Sequence, residues 1–88
     1  MSALRQEILA TLIQGPGFGL EIHDRLRDRG LEGLVSAGAI YPVLRELERD
    51  GMLTSFAGET TPARGGRPRI YYELTGEGRR VAFGEAEQ

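Results

Sequence analysis

The feature that most constrains this chain is a change of hydrophobic period at Gly51. Before it, apolar residues recur at helical spacing; after it, they alternate. In residues 3–14, Leu4, Ile8 and Leu12 recur every four positions and Leu9 and Ile13 widen the stripe, which predicts an amphipathic helix ended by Gly15-Pro16-Gly17. A second helix is expected over 19–29, with Ile22 and Leu26 inward, Glu21 and Arg25 paired one turn apart, and Gly30 as its stop. Residues 31–35 read as a short connector. Ser36 is placed to cap a third helix whose buried face is Ile40, Val43, Leu44 and Leu47 and whose exit is Gly51.

Beyond Gly51, residues 53–57 and 70–74 read as two strands around a long loop, with Ile70, Tyr72 and Leu74 on one face and Tyr71 and Glu73 on the other. Thr75 is placed to cap a last short helix toward Glu87, weakened by Gly76, Gly78 and Gly84. Three helices, a two-stranded β-hairpin wing and a short C-terminal helix make an α+β winged helix-turn-helix, expected as a single domain over 1–88 without repeats.

At 88 residues the chain can bury only a modest core, and size alone makes a partner subunit plausible. The absence of cysteine removes disulfides, thiolate zinc sites and thiol nucleophiles together and suits a reducing cytoplasm. No apolar run reaches the length of a membrane span, and residues 1–14 lack the basic start and cleavage site of a signal peptide, so a cytoplasmic protein is expected. The net charge of −2 argues weakly against non-specific nucleic-acid binding, but contacts are decided by local fields.

Positive charge is gathered in one place. Arg64, Arg67 and Arg69 fall between Thr60 and Tyr72 with no acidic residue among them, in a glycine-rich loop anchored to the second strand. Such a loop suits a phosphate backbone, and taken alone it equally fits an ordinary exposed hairpin connection. The third helix opens with the small residues Ser36, Ala37, Gly38 and Ala39, which permit close approach to a surface and offer free N–H groups to a phosphate. Tyr41 and Arg45 share its outer face, the arrangement of a reading helix and also of a plain amphipathic helix with a rim tyrosine. Pro42 removes one hydrogen bond and favours a bend.

Catalytic and metal chemistry find little material. His23 has no second histidine or cysteine to join it in a metal set, and a solvated or capping role is expected. Gly15-Pro16-Gly17-Phe18-Gly19 follows a helix and lacks the lysine and spacing of a nucleotide loop, so it reads as a helix-helix turn. Glu46, Glu48 and Asp50 are expected to keep an outer face solvated. Neither an enzyme nor a cofactor is expected.

A set of motifs resembles the DNA-binding domain of the PadR family of bacterial transcriptional regulators. They are Ile8-Leu9 with the Gly15-Pro16 turn, Gly19 to Ile22 opening the second helix, Ser36 through Leu44 with Tyr41-Pro42, Leu47 through Gly51, and Gly66-Arg67-Pro68-Arg69-Ile70-Tyr71-Tyr72-Glu73-Leu74-Thr75 followed by Gly78. The resemblance implies that the third helix enters the major groove, that Tyr41 lies at the DNA surface, and that Arg67 and Arg69 belong to the wing beside the backbone or minor groove. It implies a sequence-specific repressor and leaves a small-molecule effector open, while the gain from pairing two reading heads on half-sites about one helical turn apart makes a homodimer on an inverted-repeat operator the expectation. Departures are Leu20 where the family commonly has tyrosine, Ala39 where threonine is common, and a sequence ending at Gln88 where relatives continue into a dimerisation helix. Leu4, Ile8 and Leu12, with Val81 and Phe83, are then the expected subunit contact, on the premise that so small a domain cannot bury them all. The rival reading is a winged-helix module that binds a protein partner and no DNA.

Overall fold

The computed structural model describes residues 3–31, 36–60 and 62–84. Within them the chain runs through helix α1 (Ala3–Thr11), a 3-10 turn (Leu12–Gln14), strand β1 (Gly17–Phe18), helices α2 (Gly19–Asp28) and α3 (Ala37–Arg49), strand β2 (Leu53–Ala57), a 3-10 turn (Pro62–Arg64), strand β3 (Ile70–Leu74) and helix α4 (Gly76–Ala82). This is an α+β winged helix-turn-helix. Of the connector expected over 31–35, residues 32–35 lie outside the described residues. The last helix, expected to run toward Glu87, ends at Ala82, where Phe83 and Gly84 (φ 78°) turn the chain, and residues 85–88 lie outside the description.

The two long strands pair antiparallel from Leu53↔Leu74 to Ala57↔Ile70, a register that keeps the alternating faces of both strands in step. The expected two-stranded hairpin is a three-stranded sheet of order β1-β3-β2, because Gly17 pairs with Tyr72 and Phe18 with Tyr71. Gly15-Pro16-Gly17 is therefore more than a helix-helix turn: its last residue adds an edge to the wing. Arg25 staples this turn, donating to the carbonyls of Thr11 (3.2 Å), Gly15 (2.9 Å) and Pro16 (2.9 Å).

Helix ends follow local chemistry. At the end of α3, Gly51 has φ 82°, the Met52 N–H donates to the Leu47 carbonyl (2.9 Å) and the Gly51 N–H to that of Glu48 (3.1 Å). A side chain at Gly51 would resist this left-handed turn, which satisfies the last carbonyls and reverses the chain into β2. Gly30 ends α2 with the same pair of bonds. Thr75 caps α4 by accepting from the Gly78 N–H (3.0 Å), and its hydroxyl donates to the Gly51 carbonyl (2.6 Å), so the start of α4 is tied to the end of α3.

The core is formed by Ile8, Leu9 and Leu12 of the first helical segment, Ile22 and Leu26 of α2, Ile40, Leu44 and Leu47 of α3, Leu53 and Tyr72 of the sheet, and Val81 of α4. Val43 and Leu4 pack against it half-buried. This corrects the reading of the first-helix stripe as a subunit contact. Ile8 is 0 % exposed, Leu12 2 % and Val81 4 %, because α1 lies against both α2 and α4 and its apolar stripe is covered within the chain. Gln6 reinforces that closure by donating to the carbonyls of Val81 (3.0 Å) and Ala82 (3.3 Å). Of the five residues, Phe83 alone is strongly exposed, at 54 %.

Candidate nucleic-acid interface

The interface residues expected from sequence fall on the start of α3 and on the wing. Ser36 precedes α3 in extended conformation (φ −80°, ψ 160°), and the Ala39 N–H donates to its carbonyl (3.1 Å). Its hydroxyl makes no capping bond, contrary to expectation, and the helix start is held by backbone alone. Ser36, Gly38 and Ala39 are exposed, and a Cβ at Gly38 would meet nothing within 4 Å, so the first turn is open to close approach. Ala37 lies in the helix backbone, and its side chain is outside the description.

One turn on, the Tyr41 ring lies across Gly19 of α2: a Cβ there would stand 2.6 Å from the ring's Cζ and hydroxyl. The ring is thereby seated between two helices while 39 % of the residue stays exposed. Arg45 is exposed on the same face, with no hydrogen-bond or ion-pair partner among the described residues. Pro42 lies exposed within α3, which continues through it; the acceptor it leaves without an N–H is the carbonyl of Gly38, itself at an exposed position.

In the wing, the backbone of Arg64 belongs to the Pro62–Arg64 turn, and its side chain is outside the description. Arg67 is exposed and engaged within the fold. Arg69 is exposed, and its Cζ lies 4.6 Å above the centre of the Phe18 ring. Tyr41 of α3 and Phe18, Gly19 and Leu20 at the start of α2 border, together with Pro68, Arg69, Ile70 and Tyr72 of the wing, one open cleft of about 320 Å³. Leu20 (54 % exposed) and Ile70 (45 %) add apolar surface to a cleft whose polar groups are two phenols and a guanidinium.

Below this cleft Tyr72 is buried, and its phenol is pushed above the ordinary range, first by loss of water and then by the charge of Glu48. Glu48 accepts from the Ser55 hydroxyl (2.6 Å), which joins α3 to β2. Glu46 and Asp50 do not form a merely solvated face. Arg5 of α1 bridges them at 2.8 and 2.9 Å, a tie between helices far apart in sequence. Among the described residues no helix is long and apolar enough to cross a membrane.

Sequence reasoning missed Phe18. Nothing in its neighbourhood alternates, because a two-residue strand is too short to show a period. The only signal was an aromatic residue between two glycines ahead of a helix.

The model of the Transcriptional regulator PadR-like family matches residues 8–83. The fold is similar to a PadR-like transcription factor from Bacteroides fragilis, at 34 % identity and TM-score 0.77 over 96 % of this chain and 76 % of that one. It is also similar to a transcriptional regulator from Clostridium thermocellum, at 30 % identity and TM-score 0.77 over 96 % and 79 %. A PadR-like regulator from Bacillus cereus matches at 25 % identity and TM-score 0.76 over 96 % and 78 %. None of the curated proteins matches the chain.

Proposed function

The chain belongs to the PadR-like family of transcriptional regulators, and from that premise we propose that it is a repressor that binds duplex DNA sequence-specifically. The observation that carries this reading is the shared cleft, in which the outer face of α3 at Tyr41 and the wing at Arg69 border one opening. A helix start of small exposed residues can enter the major groove closely while the wing lies along the backbone beside it. In this reading Ser36, Ala37, Gly38 and Ala39 let the backbone approach, and the N–H groups of Ala37 and Gly38 are offered to a phosphate, that of Ala39 being held by the Ser36 carbonyl. Tyr41 and Arg45 meet base edges, and Arg64, Arg67 and Arg69 neutralise phosphates and release counterions. Bound at an operator, such a protein represses by occupying the promoter, in the cytoplasm where the template lies. A homodimer on an inverted repeat would double the contacts, with Phe83 and the edge of Leu4 as the remaining candidates for the pairing surface.

The test is duplex binding across a range of salt, followed by selection of sites from a random library. Affinity should fall steeply with salt. Arg69→Ala should weaken binding on every sequence and reduce the salt slope by about one counterion. Tyr41→Ala should cost about 1–3 kcal/mol on the selected site and less on random DNA. Absent or salt-independent binding would sink this reading in favour of a module docking a protein through exposed Leu20, Ile70 and Phe56.

A further inference from the structure

The outer face of the sheet carries an aromatic row, of which Phe18 also lines the cleft described above. Phe18, Tyr71 and Phe56 lie opposite one another across β1, β3 and β2. The Phe56 and Tyr71 rings stack with centroids 5.5 Å apart and planes 10° from parallel, and Phe18 meets Tyr71 edge-on at 5.4 Å and 79°. Phe18 is thus held on one side by a rigid stack, and its ring carries the Arg69 guanidinium 4.6 Å from its centre. The backbone of Arg69 is held as well, since the Gly58 N–H donates to its carbonyl at 2.7 Å. Phe18 immediately precedes α2, where Glu21 accepts from its N–H (3.3 Å), so the ring is also registered to the helix pair.

We propose that Phe18 is a positioning residue for the wing, whose ring face, braced by Tyr71 and Phe56, holds Arg69 at the mouth of the cleft in register with α3. The proposal rests on the DNA-binding reading given above. A ring face attracts the cation without accepting from any of its N–H groups, so the whole donor fork stays available to a phosphate. A free arginine must surrender much rotamer freedom on binding; one already held over a ring has surrendered part of it during folding.

The experiment combines Phe18→Leu, Phe18→Tyr and Arg69→Ala, each checked for folding by circular dichroism. In the free protein, the Arg69 side-chain protons should carry an upfield ring-current shift in NMR spectra that Phe18→Leu abolishes and Phe18→Tyr keeps. On duplex, Phe18→Leu should bind about two- to five-fold more weakly, Phe18→Tyr should bind as the parent does, and Phe18→Leu should add nothing in the Arg69→Ala background. An equal loss in both backgrounds, or no loss while Arg69→Ala weakens binding, overturns the proposal. If the ring-current shift is present and the parent protein binds no duplex, the role falls together with the DNA reading. A missing shift with intact duplex binding condemns the positioning alone. Should Phe18→Leu fail to fold, the rescue by tyrosine and the shift in the parent protein still decide the outcome.

Discussion

Gly19 has no side chain because the ring of Tyr41 occupies the space that one would fill. Replacing it with alanine should force the ring aside or part α2 from α3, at a cost of about 1–3 kcal/mol measured as a lowered urea midpoint with unchanged slope. An unchanged midpoint would mean that Tyr41 swings clear without resistance. The same substitution should weaken binding to a selected duplex, since it moves a residue assigned to base contact. Tyr72 supplies the second test. Its raised phenol means that the fold prefers the neutral form, so its contribution to stability is complete below the ordinary tyrosine value of about 10 and is lost as pH rises through the raised folded value. Tyr72→Phe should flatten the decline of stability above about pH 10, followed by thermal melts across the alkaline range. An equally steep decline in the variant would place the effect on other groups. Tyr41 and Arg45 were legible as an exposed pair from their spacing alone; the contact with Gly19 was not, because it joins two helices.

Polar ties between helices include the bridge from Arg5 to Glu46 and Asp50 and that from Arg29 to Glu7. Arg5 is 19 % exposed and its partners 47 % and 41 %, so solvent screens the pair and its worth is modest. Arg5→Met should cost about 0.5–1 kcal/mol at low salt, a drop of a few degrees in melting temperature, and less at high salt. A loss that does not shrink with salt would assign it to lost packing of the arginine stem. The helix exits at Gly30 and Gly51 and the cap at Thr75 were legible because glycine and threonine act within a few residues of where they stand. Strand β1 was not, since its pairing with Tyr71 and Tyr72 is supplied by residues far along the chain.

For the molecule as a whole, the exposed residues bear on assembly. With Ile8, Leu12 and Val81 inside the core, a subunit contact must use exposed residues such as Phe83, at the end of α4 beside Arg79 and Arg80. Sedimentation at several concentrations should show a reversible dimer, and Phe83→Ser should weaken it without lowering monomer stability. Ile8→Ala should do the reverse, costing about 2–5 kcal/mol of folding free energy. A strict monomer binding one copy per operator would end the dimer proposal. If Phe83→Ser leaves association unchanged, the contact lies elsewhere.

The first three helices, the two long strands and the buried faces of α2 and α3 were written in hydrophobic periodicity, which acts over neighbouring residues and needs no knowledge of the whole. The basic wing and the small-residue helix start were equally plain, because charge and side-chain size belong to each residue wherever it lies. Which face of α1 is covered, which carboxylates Arg5 meets, and what lies against Arg69 were decided only when α4 closed over α1, α3 brought Glu46 and Asp50 to it, and β1 joined the wing. Each depends on a contact between segments distant in sequence, and a local pattern shows that a surface is apolar or charged without showing what comes to lie against it.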